Sequence, residues 1–285
     1  MRRTHLLLWL PALLLTSADA LAWGLYTHVY FAQALVWLVP LADPRLRAAA
    51  RRLPGLVLAG ACLPDLALTD LRAERPVFEH SHEWETAARL LAAAGSEEER
   101  ALALGFASHL LTDIFAHNHF VPAHEIVWFD APVLTHAACE WAMDYHVRRH
   151  VYGAPAELLA ADREVVAAWV AAAFGCTPAV AGRALDGLAG ADRLLRRSGL
   201  PRLAHGAGGL GDRRMARRFA HYLSHTVRHL RQMDRIAAGE RPQWVANPCR
   251  HAAREALAGV PARLLRARLP MPADLFRPAA GRSAG

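Results

Sequence analysis

Residues 105–120 read GFASHLLTDIFAHNHF, and this stretch limits the possible folds more than any other part of the chain. Its apolar residues recur at spacings of three and four, as in a helix buried on most of its surface. Yet it carries His109, Asp113, His117 and His119. Each such group loses water on burial and must find a partner. His109 and Asp113 are four residues apart, so they stand one above the other on a single face. His119 lies six residues beyond Asp113, past an expected helix end near Ala116 and before Pro122, where a turn swings it back. His117 is surplus to this pattern and reads as structural. The segment THAACEWAMDYH repeats the arrangement with His136 and Glu140, again four apart. Several apolar helices around a polar interior that holds a cation satisfy both demands.

The rest of the chain agrees with helices. Ala, Leu, Arg and Glu dominate, and apolar spacing predicts helices over roughly 28–39, 45–53, 83–94, 97–116, 134–150, 155–174, 178–197, 212–237 and 250–267. GSEEER supplies a helix start with acidic residues in the first turn. No run alternates like a strand, so the expected fold class is all-α, a single multi-helix domain over residues 23–267. The glycine-rich stretch 203–212 reads as a loop, and 268–285 as a flexible tail. With 54% hydrophobic and 21% charged residues the chain can bury a sizeable core. Its net charge of +7 comes from arginine alone, since no lysine occurs. That bias fits either base composition or attraction to phosphates.

The first 22 residues have the three parts of a secretory leader: basic MRRTH, apolar Leu6–Leu15, and the small-x-small end Ala20-Leu21-Ala22. The apolar run is short for a bilayer span, although retention as an anchor is the alternative. Cleavage after Ala22 exposes Trp23 and implies a periplasmic or secreted protein. Cys62, Cys139, Cys176 and Cys249 remain, and sequence alone leaves both free thiols and three disulfide pairings open.

Upstream of the two His/carboxylate pairs stand Asp65 in LPDL, His80 and His82 in FEHSHEW, and His28 in WGLYTH. Imidazoles and carboxylates projecting from several helices suit zinc, and a helical interior is a usual place for such a site. Other motifs fail. HExxH is absent, because HEWET and HEIVW lack the second histidine. No His-Asp dipeptide, G-x-S-x-G or P-loop occurs.

The chain resembles the zinc-dependent phospholipase C family and its relatives, the S1/P1-type single-strand nucleases. The resemblance rests on Trp23 followed by His28, on Asp65 with a histidine some fifteen residues on, His80 (or its neighbour His82), on His109-x-x-x-Asp113 with His119 six later, and on His136-x-x-x-Glu140. It implies an exported all-α enzyme with a trinuclear zinc cluster. One zinc is then held by Asp65, His80, His109 and Asp113; a second by Asp113, His28 and the amine and carbonyl of Trp23; the third by His119, His136 and Glu140. The implied reaction is phosphodiester hydrolysis by a zinc-activated water that Asp65 orients or deprotonates. Phospholipid is the first substrate class, with possible peripheral membrane contact; residues Phe120, Ile126, Val127, Trp128 and Phe129 offer an apolar rim. A nuclease acting on nucleic acid, another phosphoesterase, and a zinc protein without hydrolytic activity are the alternatives.

Overall fold

A computed structural model describes residues 24–70, 76–129 and 131–276. The expected leader, Trp23 and residues 277–285 lie outside the described residues. Among the described residues every regular element is helical and none is a strand, so the all-α expectation holds. In chain order the α-helices are α1 Leu25–Leu38, α2 Pro44–Arg52, α3 Pro54–Gly60, α4 Ala67–Asp70, α5 Trp84–Ala93, α6 Glu97–Phe115, α7 Val121–Val127 and α8 Pro132–Val147. They continue with α9 Pro155–Ala161, α10 Arg163–Phe174, α11 Pro178–Ser198, α12 Leu200–Gly211, α13 Met215–His229, α14 Met233–Ala237, α15 Arg250–Ala258 and α16 Ala262–Ala267. A 3-10 turn, Leu63–Leu66, joins α3 to α4, and a π-helical turn, Ala116–Phe120, joins α6 to α7.

Helix α6 is the central post, because every residue from Ala101 to Phe115 is buried. A capping box starts it: Glu99 N donates to Ser96 Oγ at 3.1 Å, and Ser96 N donates back to Glu99 Oε2 at 3.0 Å. The acidic residues Glu97, Glu98 and Glu99 then sit on the positive end of the helix dipole. Around this post pack α1, α2, α3 and α5. One contiguous apolar core runs from Leu25 to Leu275, which is what a single domain requires. No single helix among the described residues is long and apolar enough to cross a membrane. All four cysteines are free thiols, two of them (Cys62 and Cys139) buried.

Two sequence expectations are corrected. The stretch 203–212 is not a loop, since most of it lies in α12, which packs along α8. A Cβ at Gly208 would lie 2.9 Å from the Trp128 ring and 2.8 Å from Met215 Sδ, so glycine there serves close packing rather than a turn. The tail also begins later than residue 268. Leu269 and Leu275 are buried, and Gln243 N donates to the Leu275 carbonyl at 2.9 Å.

Candidate metal centre

The centre is assembled by a close crossing of α3 and α6. A Cβ on Gly105 would lie 2.0 Å from the Val57 carbonyl oxygen, and one on Gly60 would lie 2.4 Å from that of Leu102. Only bare backbone lets the helices approach so far. The crossing delivers the end of α3 and the following 3-10 turn onto the polar face of α6. His109 Nδ1 thereby meets the Ala61 carbonyl at 2.8 Å, and Asp65 Oδ1 stands 3.7 Å from His109 Nε2.

Four imidazoles are oriented by the same device. Thr112 Oγ1 donates to the His109 carbonyl, so it accepts from His28 Nδ1 at 3.0 Å. Ser81 Oγ donates to the Pro64 carbonyl, so it accepts from His82 Nδ1 at 3.2 Å. His109 Nδ1 donates to Ala61, as above, and His117 Nδ1 donates to the Ala246 carbonyl at 3.3 Å. With Nδ1 engaged, each ring turns Nε2 toward a buried carboxylate. His28 Nε2 lies 3.4 Å from Asp113 Oδ1, and His109 Nε2 lies 3.0 Å from Asp113 Oδ2. His82 Nε2 faces Asp65 Oδ1 at 3.5 Å and Asp113 Oδ2 at 3.7 Å. His117 and His136 face Glu140 Oε1 at 3.4 and 3.3 Å.

Both carboxylates at the heart of this centre lack hydrogen bonds: neither oxygen of Asp65 nor of Asp113 accepts one, and both side chains are almost fully buried. Such groups are costly unless a cation neutralises them. In the protein alone, protons have to fill that role. Burial opposes charge on His109, but Asp113 and Asp65 outweigh it and raise its pKa to about 9. His117 is likewise raised to about 9, with Asp113 and Glu140 overcoming burial. His28 is lowered to about 4 by burial and by His109, whose ring stacks on it at 3.6 Å. Burial favours a neutral Asp113, yet His109, His117 and His28 hold it well below the usual carboxylate range. Glu140 is lowered to about 2, as His136 and His117 outweigh burial. The side chains form three donor groups, each with one ligand atom per residue and all those atoms within 4.8 Å: His28, Asp65 and His109; His82, His109 and Asp113; His117, His136 and Glu140.

A family model described as zinc dependent phospholipase C matches residues 27–172, just over half of the chain and every residue of these groups. The chain belongs to the zinc-dependent phospholipase C family. No curated protein and no solved structure matches it. Membership makes the chain a zinc-dependent phosphodiester hydrolase of the phospholipase C type with Zn2+ as cofactor. The donor set fits that metal. Imidazole nitrogens and carboxylate oxygens are zinc's ordinary ligands, and with Nδ1 of four rings engaged elsewhere, Nε2 is the nitrogen left for the metal.

In this phospholipase-type chain His28, Asp65, His109 and Asp113 fall within the first two groups, and His136 and Glu140 within the third. Two of the expected histidines fall in none. His80 is 67% exposed on its side chain and pairs with Glu83 at 2.8 Å; its neighbour His82 occupies the inward place instead. His119 packs its ring 5.1 Å from Trp244, while His117 meets Glu140. The reason is that the chain stays helical through the π-turn rather than ending near Ala116. His109, Asp113 and His117 therefore follow one another at i, i+4 and i+8 on one face.

Sequence reading missed a supporting residue, Asp144 on α8. Its Oδ1 accepts from Thr27 N at 2.9 Å and Thr27 Oγ1 at 2.7 Å, fixing the first turn of α1 next to His28. Arg196 Nη2 reaches the other oxygen at 2.7 Å. Asp144 lies eight residues beyond His136 on the same helix, and that spacing is the one trace it leaves in the sequence.

Proposed function

We propose that this enzyme hydrolyses phospholipids at a centre of three zinc ions built from these overlapping donor groups, in a chain exported with removal of residues 1–22. The observation that carries the reading is the set of four rings with Nδ1 engaged and Nε2 turned onto buried carboxylates, of which Asp65 and Asp113 accept no hydrogen bond on either oxygen. The ligand sets are Asp65, His82, His109 and Asp113; then His28 and Asp113 with the amine and carbonyl of Trp23; then His117, His136 and Glu140. Bound zinc lowers the pKa of water and withdraws charge from phosphoryl oxygens. Asp65 would orient the attacking water and take up its proton, and would return that proton to the diacylglycerol oxygen as the P–O bond breaks. The buried walls around Asp65 and Asp113 keep bulk water from competing for these carboxylates. Lipid contact falls to exposed apolar side chains near the centre. Of the expected rim, Phe120 and Val127 are buried, whereas Phe129 is exposed, as are Leu134 and Val245.

Elemental analysis and a substrate comparison test this reading together. The mature protein should retain three zinc ions after dialysis and should release phosphorylated head groups from phospholipid micelles. His82→Ala and His117→Ala should each lose zinc, while His80→Ala and His119→Ala keep it. A well-folded protein that holds no zinc under zinc-replete conditions refutes the centre. Cleavage of single-stranded DNA with no action on phospholipid refutes the substrate. For export, the processed chain should begin at Trp23, and a glycine added before Trp23 should reduce bound zinc without changing helical circular dichroism.

A further inference from the structure

Helix α12 turns an apolar face to solvent. Its inner face is buried at Pro201 and Gly208, and His205 packs its ring against Tyr145 and His146 of α8. The opposite face carries Leu203, Gly206, Ala207 and Leu210, spaced i, i+3, i+4 and i+7, and all four are exposed. Leu203 is 66% exposed and Leu210 90%. One exposed leucine needs no account, but two on a single apolar stripe mark a surface that something covers. Val133 of α8 and Leu200 and Ala204 of α12 pack on one small apolar cluster, and exposed Leu134 follows Val133. The stripe therefore starts beside the end of α8 that carries Leu134.

The charge around this stripe has one sign. Between Arg193 and Met233 the only carboxylate is Asp212, which is buried and bonded to buried Arg218. Arg202 at the start of α12, and Arg213, Arg214 and Arg217 beyond its end, are all exposed. Leucines set between arginines suit an anionic lipid surface, where the apolar side chains enter the acyl boundary and the guanidinium groups meet the head groups. Two other occupants fit less well. Both ends of the stripe are basic, so pairing with a second copy sets arginine against arginine in either direction. Nucleic acid would use the arginines but leave the leucines idle, and α12 holds no Phe, Tyr or Trp on which a base could stack.

We propose that α12 docks the enzyme on anionic lipid bilayers, with Leu203 and Leu210 in the acyl boundary and the flanking arginines on the head groups. The proposal rests on the phospholipid reading above, because it supplies the surface on which such a substrate is met. The leucines give the hold on lipid, and the arginines choose the sign of the surface.

The test is partition of the zinc-loaded full protein onto vesicles that contain no phosphodiester: digalactosyl diacylglycerol alone, or mixed with anionic sulfoquinovosyl diacylglycerol. Sedimentation should show binding to the anionic vesicles, little to the neutral ones, and release at high salt. Leu203→Ser with Leu210→Ser should weaken binding roughly a hundredfold, about tenfold for each leucine. Arg202→Gln with Arg213→Gln should weaken it about twenty-five-fold, about fivefold for each charge. Both pairs should leave hydrolysis of a dispersed short-chain phospholipid unchanged. Circular dichroism checks folding, and the arginine pair carries the test if the leucine pair does not fold. Equal binding to both vesicles, binding to neither, or binding that survives the leucine pair overturns the docking face. A dimer that the leucine pair dissociates, or binding of single-stranded DNA without binding of vesicles, gives the face to another occupant and also overturns it. Binding to anionic vesicles without hydrolysis of any phospholipid leaves the docking face standing and removes the phospholipid reading. Phospholipid hydrolysis without vesicle binding does the reverse.

Discussion

Thr112 never touches the space between the carboxylates, yet it decides which nitrogen of His28 faces that space. Its hydroxyl hydrogen is committed to the His109 carbonyl at 2.8 Å, so its lone pair takes the proton of His28 Nδ1 at 3.0 Å. Thr112→Val keeps the shape and removes both hydrogen bonds. His28 is 8% exposed, so its Nδ1 finds little replacement from solvent. Leaving such a buried donor unmet destabilises the zinc-free protein by about 1–3 kcal/mol. The ring is then free to take the other tautomer, which places a proton on Nε2. Loss of such a supporting partner weakens metal binding about 10–100-fold. Competition against a chromophoric chelator should show one zinc weakened on that scale, with helical circular dichroism intact. Thr112→Ser restores the hydroxyl and should restore the affinity. If the valine variant holds every zinc as tightly as the parent, the hydroxyl does not set the tautomer and the reasoning fails.

Gly105→Ala places a methyl group 2.0 Å from the Val57 carbonyl oxygen, against backbone that cannot rotate away. It should destabilise the protein by about 1–3 kcal/mol or more, read as a lower thermal midpoint, and reduce zinc content because the crossing carries Asp65. The zinc-free protein should show a stability maximum near pH 6.5. His109 and His117 are raised from 6.5 to about 9, so their stabilisation is full below pH 6.5 and is lost as pH rises through 9. His28 is lowered to about 4, so it opposes folding as pH falls from 6.5 toward 4. Zinc replaces those protons, so the loaded protein should not lose stability between pH 6.5 and 9; thermal melts across pH with and without chelator check this.

Local pattern determined the helical class, the start of α6 at its capping box, and the two i, i+4 pairs, His109 with Asp113 and His136 with Glu140. Helical geometry alone fixes such neighbours, whatever the rest of the chain does. Asp65 and His28 were legible only as candidates, because nothing local aims a residue at a helix more than forty positions away. Tertiary structure made the choices between near neighbours. His80 and His82 are two apart on an irregular segment, and the hydrogen bond from Ser81 to the Pro64 carbonyl is what turns His82 inward and leaves His80 in solvent. His117 displaced His119 because the helix runs on through a π-turn, held where Asn118 and His117 bond to the carbonyls of Val245 and Ala246, some 130 residues downstream. The glycines of α12 looked like a loop because isolated glycine weakens a helix, but packing against Trp128 and Met215 makes small residues an advantage there. A sequence states which groups each helix can present; the packing of backbone on backbone, through contacts such as Gly60 with Gly105, decides which of them meet.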